Sequence, residues 1–263
     1  MRKPAAKTPT VKPPVQKPPV QKPPVATKPA KPPVVTPSEP KKPPVETKPA
    51  EPPVEKPKPV STKLTAEDVA LSRKAIQPKP KFSNTEEFVK IMALNPAQKA
   101  YLSNLSITFI GDSIFLNASR NLKSIFPKSY IDAKISRQMY HAEAIMKDLL
   151  ANNRLKRIVV IHLGTNSPFK MECLNNIMKI AGPDRIVFFV NVRLNRKTWE
   201  KDVNNKLATI VKQHGNAHLI NWHAFSVHHN NIFYKDQEHP TTNRGNKIFS
   251  TFVGHSIIAT LNR

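Results

Sequence analysis

Ile107-Thr108-Phe109-Ile110 runs directly into Gly111-Asp112-Ser113. The apolar run reads as a buried strand, and the residues that follow, 114–124, carry helical spacing. A serine on such a strand-to-helix turn projects its hydroxyl at the top of a sheet, beside the free N–H groups of a helix N-terminus. Gly111 suits the turn because it has no Cβ. Taken alone, however, the tripeptide reads as an ordinary helix cap with Ser113 as its N-cap.

Two stretches further along change that reading. Asp236-Gln237-Glu238-His239-Pro240 places a carboxylate and an imidazole three residues apart, so one short loop can carry a base and the group that orients it. Gly164-Thr165-Asn166 follows a second apolar run, Ile158 to Leu163, and an amide there can donate to a developing oxyanion. Each piece has a plain alternative: Asp236 and His239 as a surface turn, Asn166 as a turn residue.

Around these stretches the chain alternates. Apolar segments at 105–110, 129–132, 157–163, 186–192 and 217–221 read as strands. Segments at 114–124, 138–151, 171–181, 198–214 and 242–261 read as helices. Strands rich in Ile, Val and Phe between amphipathic helices imply a parallel sheet covered on both faces. The expectation is an α/β domain: three layers, α/β/α, around a five-stranded parallel sheet of flavodoxin-like order. Ser113, Asn166 and Arg193 all follow strand C-termini, the edge where such sheets bind ligands. Residues 61–100 read as a helical lead-in, with a capping box from Thr65 to Asp68 and a second helix opening at Thr85, and the catalytic domain as 101–263.

The order of the blocks is that of the SGNH (GDSL-type) hydrolases, which residues 97–262 resemble. Within them, Val190-Asn191-Val192-Arg193 with Arg196, Trp199 and Val203-Asn204 resembles the extracellular C-terminal domain of bacterial peptidoglycan O-acetyltransferases. Ile131 to Met139 and Leu163 to Phe169 do the same. The chain departs from that pattern in three places. Ser136 stands at the position that resembles the second-block glycine of most SGNH enzymes. Gln237 follows Asp236 where glycine is usual. Asn195 replaces a proline.

The resemblance implies a Ser113–His239–Asp236 triad and an acetyl-serine intermediate. It implies an oxyanion hole from the N–H of Ser113, the N–H of Ser136, the Gly164 block and the Asn166 side chain. The acceptor it implies is the C6 hydroxyl of N-acetylmuramic acid in a peptidoglycan glycan strand, with a membrane acyltransferase supplying acetyl. Arg193 and Trp199 are candidates for the acceptor groove, since arginine binds carboxylate or N-acetyl oxygen and an aromatic face stacks on sugar. The alternative for both is packing and ion pairing. No metal or other cofactor is required, and His162, His223, His228 and His229 lack ligand spacing. Two other readings stay open: an esterase of the same fold that uses water, and a non-catalytic basic wall-binding module.

Residues 1–60 are different in kind. They hold 20 of the 27 prolines and no glycine, Phe, Tyr or Trp, and they repeat Lys-Pro-Pro-Val at 12–15, 17–20 and 22–25. Proline removes donors and nothing there can be buried against the ordering entropy, so the segment reads as a disordered, semi-rigid spacer. Fully extended as polyproline II it would reach roughly 190 Å. The net charge is +24, of which residues 61–263 carry +15 from 29 basic and 14 acidic residues. That excess suits an anionic wall polymer. No nucleic-acid-binding motif is present, so a nucleic-acid partner is not expected. Cys173 is the one cysteine, so there is no disulfide framework, and a buried apolar role is expected for it. No stretch is apolar for long enough to span a bilayer, and Met1-Arg2-Lys3-Pro4 opens no signal peptide. Placement at the cell surface therefore rests on the resemblance, with the chain read as the soluble part of a longer membrane protein or as lacking a preceding segment; the alternative is a protein that stays in the cytoplasm.

Overall fold

A computed structural model describes residues 63–78 and 85–263; the spacer read at 1–60 lies outside them. Five strands form the sheet: β1 (Ile107–Gly111), β2 (Tyr130–Ala133), β3 (Ile158–His162), β4 (Ile186–Val190) and β5 (Ala217–Ile220). Every pairing is parallel and the order is β2-β1-β3-β4-β5, the flavodoxin-like arrangement expected.

Side chains alternate along each strand, and both faces are buried. Phe109, Val160, Phe188 and Val190 face one core; Ile110, Val159, Ile161, Val187 and Phe189 face the other. Helices α1 (Ala66–Ala75), α2 (Thr85–Met92), α3 (Pro96–Asn104), α4 (Ser113–Ile125), α8 (Trp222–Ser226) and α9 (Arg244–Leu261) contribute to the first core. Helices α5 (His141–Ala151), α6 (Met171–Ala181) and α7 (Glu200–Gln213) cover the second, and Cys173 of α6 packs there half-buried. Trp222 is fully buried against Phe249 and Phe252, with ring centroids 4.9 and 5.4 Å away. Among the described residues no helix is long and apolar enough to cross a membrane.

The capping box at Thr65 forms as read: Thr65 Oγ1 accepts from the Asp68 N–H, and the Asp68 carboxylate accepts from the Thr65 N–H. The lead-in helices are more than a preface. Val69, Phe88, Met92 and Leu102 belong to the same core as the sheet. Gln98 Nε2 donates to the Asp68 carbonyl and to Ser72 Oγ, and Ser72 Oγ lies 3.1 Å from His255 Nδ1 on α9.

His255 is fully buried, and this burial pushes its imidazole down from 6.5 to about 4, against a weaker upward pull from the Met92 carbonyl. Protonation is therefore easier in the unfolded chain. Stability is retained above pH 6.5 and falls as pH drops towards 4, by roughly 3 kcal/mol from this group. We expect urea midpoints to decline over that window, and His255→Gln to flatten this part of the decline.

Candidate active site

Parallel strands deliver all their C-terminal ends to one edge, so the loops after β1, β2, β3 and β4 meet there. At the β1 end, the helix cap is Asp112 and not Ser113. Fully buried Asp112 accepts from the Ile114 N–H through Oδ1 at 3.0 Å, which leaves the hydroxyl of Ser113, the first residue of α4, free of capping duty. Gly111 is required by packing. A Cβ there would sit 2.5 Å from Phe115 Cβ, and its φ is not positive.

Ser113 Oγ lies 3.0 Å from His239 Nε2, and His239 Nδ1 lies 2.8 Å from Asp236 Oδ2. The residues that bring the last two here form a small hairpin. Phe233 bridges Pro240, Tyr234 N–H donates to the His239 carbonyl, and Gln237 N–H donates to the Tyr234 carbonyl. Gln237, at the turn, has φ +57°. Asp236 Oδ1 accepts from the N–H groups of Glu238 and His239, both at 3.0 Å. Burial pushes the Asp236 carboxyl up, but those two N–H donors and the imidazole outweigh it and hold its pKa below the usual carboxylate value. An ionised Asp236 can only accept, so Nδ1 carries the proton and Nε2 presents a lone pair to Ser113.

The β2 end carries Ser136. Arg137 N–H donates to the Lys134 carbonyl, and Ser136 has φ +60°, so Lys134 to Arg137 form a type II turn with Ser136 in its left-handed position. Arg137 pins this turn to the strand ends, donating to the carbonyls of Gly111 and Asp132 and pairing with the Asp132 carboxylate. Half-buried Asn166 donates one amide hydrogen to the Arg137 carbonyl at 3.1 Å, which aims its side chain along the turn and leaves the second hydrogen over. Gly164, between β3 and Asn166, has φ +115°, and its carbonyl accepts from the Trp199 indole N–H.

Ser136 and Gln237 thus both hold a glycine-like backbone, a conformation that L-residues adopt at a cost. Ser136→Gly is expected to raise stability by about 1 kcal/mol with turnover retained, and Ser136→Val to lower both. Urea titration and esterase assay of the two variants check this.

Arg193 and Trp199 sit among protein partners. Arg193 donates to the Ser226 carbonyl, Asn230 Oδ1 and Gln237 Oε1, and its guanidinium lies 4.2 Å from the Phe233 ring centroid. Burial lowers its pKa, against the upward pull of Glu200. Trp199 packs against the second core. Of the histidines, His162 is buried 3.6 Å from Asp112, His223 lies 3.0 Å from Glu200, and His229 stacks on Phe88 and Phe225. Among the described residues no group of three or more His, Cys, Asp or Glu is placed to hold a metal.

Sequence reasoning passed over Lys197, Glu238 and Arg137, which tie these loops together. Glu238 stood in plain view between Asp236 and His239. Nothing in the sequence linked Lys197 to it, because 41 residues separate them.

No protein-family model matches the chain. It is 29% identical over 142 residues to the O-acetyltransferase OatA of Staphylococcus aureus (strain NCTC 8325 / PS 47), a match covering 54% of this chain and 23% of that protein. It is 32% identical over 130 residues to YrhL of Bacillus subtilis (strain 168), a candidate peptidoglycan O-acetyltransferase, covering 49% of this chain and 20% of that one. The chain thus spans about a fifth of the length of these curated relatives. Among solved structures, the C-terminal catalytic domain of the Streptococcus pneumoniae peptidoglycan O-acetyltransferase OatA, determined with a methylsulfonyl adduct, superposes with a TM-score of 0.55 at 22% identity. That match covers 60% of this chain and 94% of the other. In fold the chain resembles the catalytic domain of a peptidoglycan O-acetyltransferase, and in sequence it is similar to an O-acetyltransferase of Staphylococcus and a candidate peptidoglycan O-acetyltransferase of Bacillus.

Proposed function

We propose that this domain transfers an acetyl group, through an acetyl-Ser113 intermediate, to the C6 hydroxyl of N-acetylmuramic acid in peptidoglycan. The observation that carries the reading is the Ser113–His239–Asp236 chain of contacts at the C-terminal edge of the sheet. His239 Nε2 takes the Ser113 proton as Oγ attacks the acetyl carbonyl, and Asp236 stabilises the imidazolium. The N–H groups of Ser113 and Ser136 and the free amide hydrogen of Asn166 receive the oxyanion, each donor worth about 3–4 kcal/mol. The donor alcohol leaves with the proton from His239. The acceptor hydroxyl then gives its proton to His239 and attacks the acetyl-serine, which restores Ser113. In this reading the catalytic unit is 101–263 with the 61–100 helices packed on it, and it acts at the outer cell surface. The basic excess attracts the domain to anionic wall polymer.

The test is turnover of a chromogenic acetyl ester with and without a chitooligosaccharide, read by mass spectrometry of the sugar. Acetylated sugar is the expected product. Acetate release with no sugar product would make the domain an esterase, and no turnover of any acetyl ester would overturn acyl transfer altogether.

A further inference from the structure

The loop after β4 reaches both halves of the site with one side chain. Lys197 Nζ donates to the Thr165 carbonyl at 3.0 Å and to Glu238 Oε1 at 2.6 Å. Thr165 adjoins Asn166, the side-chain donor to the oxyanion; Glu238 adjoins His239, the base. A single ammonium therefore spans the two blocks that have to be in register for acyl transfer.

The partner geometry suits a fixed link. The Glu238 side chain is 9% exposed and that of Lys197 30%, so the carboxylate is held out of water and needs its cation. Glu238 points inward while its neighbour His239 points to Ser113, so anchoring the first sets the direction of the second. The grip on the other block is doubled. Trp199, two residues on, donates to the Gly164 carbonyl at 3.1 Å, and Lys197 Nζ lies 5.7 Å from its ring centroid. Arg193, from the same loop, binds the hairpin through Gln237 and Phe233 and otherwise donates to the Ser226 carbonyl and Asn230 Oδ1.

We infer that Lys197 is a positioning residue that locks the Asn166 oxyanion donor and the His239 base into one catalytic register through Thr165 and Glu238. This rests on reading Ser113 as an acyl-transfer nucleophile. Misplacing catalytic groups by about 1 Å costs about 10²-fold in rate. Lys197→Met is therefore expected to lower kcat for a chromogenic acetyl ester by about 10²-fold with KM within about two-fold, because no substrate contact is lost. Glu238→Gln should lower kcat in the same way. The double variant, which buries no unpaired charge, should be no slower than the slower single one, since the two side chains act as a unit. Lys197→Arg should recover part of the loss. Thermal melts report folding, and the double variant keeps the test available if Lys197→Met fails to fold. The inference is overturned if the folded variants keep wild-type kcat, if the losses multiply in the double variant, or if KM rises with kcat unchanged. Wild type inactive on every acetyl ester would instead sink the acyl-transfer reading, on which this one depends.

Discussion

Ser113→Ala is expected to lower acetyl transfer by about 10³- to 10⁶-fold while the fold survives. The substitution removes the one hydroxyl that contacts His239 Nε2. What remains is binding and the oxyanion donors, which sustain a small residual rate in other triad enzymes. Folding should change little. The cap on α4 belongs to Asp112, so alanine at its first residue forfeits only the hydrogen bond to His239, about 0.5–1.5 kcal/mol. Initial rates on a chromogenic acetyl ester, with a thermal melt of the same preparation, check both halves. Wild-type turnover by the alanine variant would remove Ser113 from the chemistry.

Asp236→Asn should cost about 10³- to 10⁴-fold in kcat at nearly unchanged structure. The argument turns on which oxygen is kept. Asp236 Oδ1 accepts two backbone N–H groups that build the hairpin turn, and Oδ2 accepts from His239 Nδ1. The asparagine oxygen has to stay with the two backbone donors, which puts the amide NH2 against Nδ1. Nδ1 must then accept, so the proton moves to Nε2 and faces Ser113, and the imidazole can no longer act as a base. In the wild type, the lowered Asp236 pKa works the other way. The carboxylate's contribution is present above the ordinary carboxylate value and is lost only as pH falls through the lower folded one. Kinetics of Asp236→Asn at neutral pH, beside its melting curve, separate a tautomer effect from unfolding.

The fold was legible because its signals are local. Ile107 to Gly111, Ile158 to His162 and Ile186 to Val190 are short runs of strand formers between helical segments, and parallel pairing demands little else. The 3.6 spacing missed α8, since Trp222–Ser226 is a five-residue helix too short to show a period. Ser113, Asn166, Asp236 and His239 could be named because chemistry restricts their residue types. The distances between them could not be read, nor could the reason for Gly111, which is the Phe115 ring above it. Ser136 and Gln237, two departures from the pattern the chain resembles, gave no sign in the sequence of the backbone they would adopt. In the structure both have positive φ. Arg193 and Trp199 show the limit of residue type as evidence. Each suits a sugar, and each is found bonded to backbone carbonyls of its own chain.

The most direct test of the central claim is to quench the protein during turnover of an acetyl ester, digest it, and locate any added acetyl group by mass spectrometry. The account predicts one acetyl on the Ser113 side chain, present with wild type, absent with Ser113→Ala, and discharged when a chitooligosaccharide acceptor is added. Sustained turnover with acetyl at another residue, or with an acyl-Ser113 that acceptor and water both fail to discharge, would contradict it.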